Sequence, residues 1–339
     1  MHGKRLVCLS AVAAVASMAI GVASASAVTI TGAGSTLVQP LETLWASGYQ
    51  SATGTSISYA GVGSGTGITD ITHGLVDFGA SDAPLNASQQ AACPACVQMP
   101  WALSATAVGF HLNGITSLDL TGKVLSEIYL GQITNWDNKA IKALNKKTKL
   151  PNRHITVIYR SDGSGDTYAF TNYLSHVSSA WTAKVGPAAT TVSFPTGIAG
   201  KGNSGVTALL ASTNGGIGYV AASYLIEQGG LGAIAIENNA GKFEYPNLKN
   251  ITAAADAFTS IPSNNAISIV DPPKSAKVAY PISTYTYVIV PSNTSDAANL
   301  KAWISYALTT GQAFGAKLDF APLPAAVVTA ATNTLNSLS

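Results

Sequence analysis

The segment ITVIYRSDGSGDTYAFTNYLS, residues 155–175, joins an apolar run, an arginine, a glycine- and serine-rich turn and a second, mostly apolar run. The first run predicts a strand, and the turn followed by YAFTNYLS predicts the start of a helix. The same order occurs twice earlier in the chain, around GAGST (residues 32–36) and GVGSGTG (residues 61–67). Repeated strand–turn–helix units predict an α/β fold with largely parallel strands.

The three turns share a chemistry that suits an anion. A helix start carries backbone N–H groups that have no partner within the helix, together with a partial positive charge of about half a unit. One such start is an ordinary cap, but three of them at the carboxyl ends of strands predict an anion held in a crevice between two lobes. Arg160 directly precedes the third turn, where a guanidinium can fork onto two anion oxygens. A surface salt bridge is the alternative role for this arginine.

Two acidic residues restrict the kind of anion. Asp82 lies in GASDAP, and Asp166 lies at the start of the third helix. The alternatives are a turn or cap role for Asp82 and a helix-dipole role for Asp166. A carboxylate repels an anion unless the anion has a proton to share, as phosphate has near neutral pH and sulfate has not. A buried acceptor therefore favours phosphate over sulfate. Sites of this kind discriminate between such ligands by a factor of about 10⁴–10⁵.

The same turns match no catalytic pattern. They lack the Gly-Lys-Ser/Thr of a nucleotide-binding P-loop, and Thr66 stands where a dinucleotide-binding turn ends in glycine. None of Ser35, Ser64 and Ser164 has the glycine two residues earlier that a hydrolase elbow requires. Thr167 stands where a calcium-binding EF-hand loop requires glycine. We therefore expect a binding protein that has no catalytic residues and needs no cofactor.

Length and composition indicate a folded protein of two lobes. The chain has 339 residues, of which 47% are hydrophobic and 10% charged. Two long strand-like runs, residues 101–114 and 280–291, are predicted to cross between the lobes. We therefore predict one lobe from residues 28–109 plus 284–339 and a second, inserted lobe from residues 110–283. Residues 115–149 are predicted to be helical and polar, with a lysine-rich end that forms a solvated face.

Residues 1–27 predict a secretory signal peptide. A basic start is followed by an apolar stretch and by ASA at residues 25–27, which makes Val28 the first mature residue. An uncleaved membrane anchor is the alternative. Lys4 and Arg5 are two of the 18 basic residues, so the mature chain would have 16 basic and 16 acidic residues. This balance disfavours nucleic acid as a partner, and local groups must hold any anion.

The mature chain would retain one pair of cysteines, Cys93 and Cys96 in CPAC. In an exported protein the pair predicts a disulfide or a local structural clip. A redox-active pair is the alternative, although no thioredoxin-like unit surrounds it. Zinc needs about four ligands, and no second pair or nearby histidine supplies them, so no metal site is predicted.

Seven motifs in order resemble the extracytoplasmic phosphate-binding proteins of high-affinity phosphate ABC transporters, the PstS family. The motifs are TGAGST, GVGSGTGI, DFGASDAPL, IYLGQITNWD, RSDGSGDT, KGNSGV and GGIGYV, and the resemblance runs from about residue 31 to residue 323. Each motif is of modest specificity, but the ordered set is very specific. The resemblance implies a type II periplasmic-binding-protein fold, two α/β lobes that close on one desolvated phosphate, with two crossing strands between them.

The resemblance also implies a ligand set. Asp82 would accept the proton of the phosphate, and Asp162 would orient Arg160 from behind. The residues implied to contact phosphate, motif by motif, are Thr36, the Leu37 N–H, Ser64, Asp82, Arg160, Ser164, Gly165 and Asp166. Leu37 replaces an aromatic residue of many members, which matters little if only its N–H is used. Asp166 replaces a threonine of many members and adds a second carboxylate to the implied ligand set.

The function implied is phosphate import without chemical conversion. The protein would lie in the periplasm or on the outer face of the cell membrane, act as a monomer, and pass phosphate to a membrane permease. The alternatives are a binding protein for sulfate or molybdate, an exported phosphatase built on the same lobes, and a surface adhesin.

Overall fold

The computed structural model describes residues 28–339, so the predicted signal peptide lies outside the described residues. Strands and helices alternate along most of the chain. The strands are β1 (Thr29–Gly34), β2 (Ser56–Gly61), β3 (Phe78–Ser81), β4 (Cys96–Phe110), β5 (Ser117–Leu120), β6 (Thr156–Arg160), β7 (Ile198–Gly200), β8 (Gly216–Ala221), β9 (Gly232–Glu237), β10 (Phe243–Glu244) and β11 (Ser283–Pro291). The helices are α1 (Gln39–Thr53), α2 (Ser64–Thr72), α3 (Ala87–Ala92), α4 (Gly122–Tyr129), α5 (Lys139–Leu144), α6 (Gly165–Val177), α7 (Ser179–Val185), α8 (Gly202–Ser212), α9 (Ala222–Glu227), α10 (Leu248–Asp256), α11 (Ala297–Leu308) and α12 (Ala325–Asn336), with a 3₁₀ segment at Thr310–Leu318.

The first lobe is built on strands from both ends of the chain. β1 pairs in parallel with β2 on one side and with β3 on the other. β11 then pairs antiparallel with both β3 and β4. Trp45, Trp101 and Trp303 are fully buried and meet edge to face, with ring centroids 5.2–6.4 Å apart. Aromatic burial of this kind holds the sheet and its helices together as one core.

The second lobe shares one long strand with the first. β4 has 15 residues, and its second half, Thr106–Phe110, pairs antiparallel with β8. β8, β6 and β7 then continue the sheet in parallel. The sequence run at residues 101–114 was predicted to cross between lobes, and β4 follows that path from Cys96 to Phe110. The two-lobed α/β fold prediction is therefore confirmed.

The prediction for residues 115–149 is wrong in part. Helices α4 and α5 form there, but residues Ser117–Leu120 form strand β5 instead of helix. β5 pairs in parallel with β9, in a register that aligns Ser117 with Ala233. A strand of four residues has little periodicity of its own, and its partner lies more than a hundred residues later in the chain.

The helix that follows the first turn shows how local sequence sets its ends. α1 begins at Gln39 with a proline in its first turn, a position that needs no N–H donor. It ends at Gly54, whose φ of 79° lies in the left-handed region and whose N–H bonds the Gln50 carbonyl. Four residues separate the start of α1 from the carboxyl end of β1, so the first turn joins these two elements.

Cys93 and Cys96 form a disulfide, which is one of the two states expected of this pair. Residues 28–339 contain no cluster of three or more His, Cys, Asp or Glu side chains that could hold a metal ion. Among the helices of this described range, none is both long enough and apolar enough for a membrane crossing.

Candidate anion-binding site

Two of the predicted turns touch each other across the lobes. α2 begins at Ser64, after β2, and α6 begins at Gly165, after β6. The Gly165 N–H donates to Oγ of Ser64 over 3.1 Å, and the Gly65 N–H donates to the Gly163 carbonyl over 2.9 Å. Two helix starts that are 101 residues apart in sequence are thus brought to one point.

The GAGST turn meets a helix start that was not assigned ligands. α8 begins at Gly202, and both the backbone N–H and Nδ2 of Asn203 donate to Oγ1 of Thr36, over 3.3 and 2.9 Å. Oγ1 of Thr36 therefore lies at the junction between the first lobe and α8. The crevice is lined by starts of helices from both lobes, which concentrates N–H dipoles there.

Asp82 is buried among hydroxyl donors at the end of β3. Its side chain is 2% exposed. Oδ1 accepts from Oγ1 of Thr286 over 2.6 Å, and Oγ of Ser35 lies 2.6 and 2.7 Å from the two carboxylate oxygens. Oγ of Ser64 lies 3.4 Å from Oδ2. These contacts fix the carboxylate in one orientation at the junction of α2 and α6.

Burial and a like charge both favour the protonated form of this carboxyl. Burial, with a further contribution from the Asp166 carboxylate, raises the pKa of Asp82 to about 7. The hydroxyls of Ser35 and Thr286 and the charge of Arg160 act in the opposite direction. A buried carboxyl whose protonated form is favoured in this way suits the acceptor or donor of a shared proton.

Arg160 is held on two sides by carboxylates. Its Nε and Nη2 donate to the two oxygens of Asp162, over 2.8 and 2.5 Å, and its backbone N–H donates to the Tyr219 hydroxyl. Its Nη1 donates to Oδ2 of Asp166 over 3.0 Å. Burial works against the charge of Asp162, but the Arg160 guanidinium and the Gly202 N–H hold the pKa of that carboxyl below its usual value. Asp162 is a fixed negative group behind the arginine.

Asp166 is fully buried and faces the same space. Its Oδ1 accepts from Thr106, and its Oδ2 accepts from Arg160 and Asn203, over 2.8, 3.0 and 2.8 Å. Burial raises the pKa of Asp166, although these donors and the arginine charge favour its ionised form. The Asp166 carboxyl thus lies next to Arg160 at the start of α6.

The remaining predicted residues lie at the same junction, with their polar groups engaged locally. The Leu37 N–H donates to Oγ of Ser35 over 3.0 Å, and Ser164 caps α6 by accepting from the Thr167 N–H. A groove of about 200 Å³ opens beside them, lined by Thr36, Gln39, Gly61, Val62, Lys201, Gly202 and Ser204.

The chain is similar to a known family and to known proteins over most of its length. Residues 21–310 match the model described as a PBP superfamily domain. The phosphate-binding protein PstS of Xylella fastidiosa strain Temecula1 is 36% identical over 304 residues, covering 88% of this chain and 82% of the relative. The protein of the same name from Haemophilus influenzae is 36% identical over 309 residues, covering 90% of this chain and 91% of the relative. The chain belongs to the PstS family.

Solved structures share the fold of this PstS-family protein. A high affinity periplasmic phosphate-binding protein bound with phosphate superposes with a TM-score of 0.72 at 22% identity, over 89% of this chain and 92% of that one. A phosphate-binding protein from Stenotrophomonas maltophilia gives 0.69 at 20% identity, over 91% and 94% of the two chains. At this level of identity the likeness shows the fold alone.

Several polar residues of this PstS-family site were not singled out from the sequence. They are buried and bond directly to Asp82, Arg160 or Asp166, and they are Ser35, Thr106, Asn203, Tyr219 and Thr286. One signal was available, because threonines alternate with tyrosines in the apolar run STYTYVIV that forms β11. Alternate residues of a strand face one side, so two polar side chains on that side of a buried strand mark a polar site.

Proposed function

We propose that this chain binds inorganic phosphate in the crevice between its two lobes and delivers it to the membrane permease of a phosphate ABC transporter. Membership of the PstS family supports the proposal, as do the relatives named phosphate-binding proteins. The observation that carries it is the buried Asp82 carboxylate, which lies beside Ser64 and the Gly165 start of α6. A carboxylate acceptor that is surrounded by hydrogen-bond donors suits an anion with an O–H group to donate.

The proposed ligand set divides into donors and acceptors. The donors are Thr36, the N–H of Leu37, Ser64, Arg160, Ser164 and the N–H of Gly165. The acceptors are Asp82 and Asp166, and Asp162 positions the arginine. Charge-assisted hydrogen bonds contribute about 1.5–3 kcal/mol each. Much of this gain offsets the dehydration of the ion and the ordering of the lobes, so sub-micromolar affinity is expected.

Transport requires two shapes of the protein, open and closed. We propose that residues 28–109 plus 284–339 act as one lobe, that residues 110–283 act as the other, and that phosphate holds them together. The contact of Gly65 with Gly163 supports closure at this point. A permease can then distinguish the closed, loaded form from the open, empty one. No bond of the phosphate is made or broken.

Sulfate and molybdate are less suited to this pocket than phosphate. A fully ionised dianion has no O–H to offer, so binding would leave the Asp82 and Asp166 carboxylates facing an anion without a shared proton. We further propose that the protein works as a monomer outside the cytoplasm, at the outer face of the membrane or in the periplasm.

Calorimetry with the mature protein tests the proposal directly. Phosphate should bind with sub-micromolar affinity and sulfate at least about 1,000-fold more weakly, since a site built to pair a substrate O–H rejects analogues that lack it. Arg160→Ala should weaken phosphate binding by about 100-fold with the fold retained by circular dichroism, because a charge-assisted pair is lost. The exposed Lys123→Ala is a matched control and should bind as the parent does. Equal affinities for the two anions, or an unchanged Arg160→Ala, would overturn the assignment.

A further inference from the structure

One buried side-chain amide contacts both sides of the crevice. Asn203 is fully buried in the first turn of α8, and its side chain reaches Thr36 in the turn that follows β1. Thr36 is itself only 6% exposed. The two residues belong to different proposed lobes, so their contact forms only where the lobes meet. Asn203 is not one of the proposed ligands, although it contacts one of them.

The backbone fixes the direction in which this amide faces. Oδ1 of Asn203 accepts from the backbone N–H of Ala221, at the end of β8, over 2.7 Å. A backbone N–H can only donate, so the amide oxygen must face Ala221. Nδ2 therefore faces the crevice, where it donates to Oγ1 of Thr36 over 2.9 Å and to Oδ2 of Asp166 over 2.8 Å. Both hydrogens of the amide nitrogen are used.

The Thr36 hydroxyl is left with one role, that of a donor. A hydroxyl group has one hydrogen to donate and two lone pairs that accept. Oγ1 of Thr36 accepts from Nδ2 of Asn203 and also from the backbone N–H of the same residue, over 3.3 Å. Both lone pairs are then occupied from α8, and the hydrogen must point away from that helix. Within residues 28–339 this hydrogen meets no acceptor of the protein.

A second contact with Thr36 crosses the same boundary but is of a different kind. The hydroxyl of Tyr224, on α9, donates to the backbone carbonyl of Thr36 over 3.3 Å. Removing this contact would weaken the junction between the lobes without changing what the Thr36 hydroxyl can do. Tyr224 therefore provides a control for closure alone.

We propose that Asn203 is a positioning residue for phosphate binding, which occupies the lone pairs of Thr36 so that the Thr36 hydroxyl can only donate to the bound anion. This inference rests on the proposed function. A hydroxyl without such partners rotates to suit its surroundings, and its lone pairs can turn towards the crevice. A lone pair that faces an anionic oxygen is repulsive. Asn203 prevents this orientation.

This arrangement links closure of the lobes to the nature of the ligand. The donors that fix Thr36 come from the other proposed lobe, so the hydroxyl becomes a donor only when the lobes meet. Charge-assisted hydrogen bonds are about twice as strong as neutral ones. A donor-only hydroxyl therefore favours an anionic oxygen over water, and closure is favoured when the crevice holds an anion.

Phosphate affinities in a double-mutant cycle, measured by calorimetry with the mature protein, test this inference. Thr36→Val removes the hydroxyl at similar volume and should weaken binding by about tenfold to 100-fold, because a charge-assisted hydrogen bond is lost. Asn203→Ala should weaken it by about tenfold, a usual size of coupling between contacting residues. The double variant should match Thr36→Val within about twofold, since Asn203 then has no hydroxyl to position. Independent effects would multiply instead.

Three further variants separate this role from a purely structural one. Thr36→Ser keeps the hydroxyl, so Asn203→Ala should again cost about tenfold in that background. Tyr224→Phe removes the contact with the Thr36 carbonyl, and its effect should multiply with that of Thr36→Val. Ser212→Ala, at the exposed end of α8, should bind phosphate as the parent does. Thermal unfolding without phosphate measures the stability cost of each variant separately from its affinity.

The outcomes separate this inference from the proposed function. If the loss caused by Asn203→Ala persists in full beside Thr36→Val, Asn203 acts by another route, such as Asp166, and the inference is overturned. Parent-like affinity of a folded Asn203→Ala would overturn it as well, and phosphate binding would stand in both cases. Failure of the parent to bind phosphate would overturn the proposed function itself. Asn203→Ser, whose side chain is too short to reach Thr36, replaces Asn203→Ala in the cycle if the latter does not fold.

Discussion

Nη1 of Arg160 donates to Oδ2 of Asp166 across 3.0 Å, and both side chains are only 1% exposed. The opposite edge of the same guanidinium is held by both oxygens of Asp162. The arginine therefore has a fixed plane before any ligand arrives. A pre-oriented guanidinium loses less conformational freedom for each bond it forms with an anion.

The first prediction concerns Asp162 as the residue that positions Arg160. Asp162→Ala should weaken phosphate binding by about tenfold to 100-fold, since a charge-assisted bond worth about 1.5–3 kcal/mol no longer fixes the arginine. Calorimetry measures the loss. Asp162→Asn should lose less, because its amide oxygen can still accept from Arg160 or from the Gly202 N–H. Parent-like affinity in Asp162→Ala would show that Asp166 alone positions the guanidinium.

The second prediction concerns discrimination between oxyanions at Asp82. In Asp82→Asn the acceptor of the phosphate proton is lost and an amide donor replaces it. Phosphate should bind about 100-fold more weakly, and the preference for phosphate over sulfate should shrink by at least tenfold. Parallel titrations with the two anions measure both effects. Discrimination retained in full would show that Asp166 sets it.

The third prediction concerns the contact between Gly65 and Gly163. A Cβ added at Gly65 would lie 3.1 Å from the Gly163 Cα, a tight contact that requires the two loops to move apart by a few tenths of an ångström. Gly65→Val should weaken phosphate binding by about tenfold or more, since overpacking of this kind costs about 1–3 kcal/mol. Gly65→Ala should show a smaller effect in the same direction.

A matched control exists for this substitution. A Cβ at Gly229 would meet nothing within 4 Å, so Gly229→Ala should bind phosphate as the parent does. Thermal unfolding without phosphate should be little changed in the Gly65 variants. Full affinity in Gly65→Val would mean that the ligand-bound lobes do not close to this contact.

The fourth prediction concerns Glu42, a buried carboxyl in the first turn of α1 that is not part of the proposed ligand set. Its side chain is 2% exposed, its Oε1 has no hydrogen-bond partner within residues 28–339, and burial raises its pKa to about 8. A raised pKa means that the folded state holds the proton more tightly, so the stabilising effect is present below the unfolded pKa and is lost as pH rises towards 8. Glu42→Gln keeps the side chain neutral at every pH.

Urea unfolding at pH 5 and pH 8 checks this prediction. The parent should lose more of its free energy of unfolding between the two pH values than Glu42→Gln does, by about 1 to a few kcal/mol, since one pKa unit corresponds to about 1.4 kcal/mol. Asp82 and Asp166 act in the same direction in both proteins, so the difference isolates Glu42. Parallel pH dependence of the two proteins would contradict the assignment.

The elements that could be predicted from the sequence were those with strong local signals. The glycine- and serine-rich turns predicted the starts of α2 and α6. The long apolar run around Trp101 gave β4. Strand β5 was missed, because its four residues gain their structure from pairing with β9, a long-range contact that no local pattern encodes.

The residues of the candidate site could likewise be predicted only where a local sequence signal marks them. Arg160 and its turn stand out as a contiguous motif, whereas no local pattern in KGNSGV or STYTYVIV specifies which buried carboxylate Asn203 or Thr286 contacts. Each has a role only because another residue is beside it: Asn203 joins Thr36 to Asp166, and Thr286 orients Asp82. Such partners follow from the tertiary arrangement of the chain.

The length of β4 has a consequence for attempts to divide the protein. Residues Thr106–Phe110 pair with one edge of β8, and the preceding residues of the same strand pair with β11. A fragment cut at residue 110 to isolate the inserted part would leave β8 with a row of bare amide and carbonyl groups. An exposed strand edge of this kind is a template for self-association. Fragments cut there are therefore expected to aggregate before they refold.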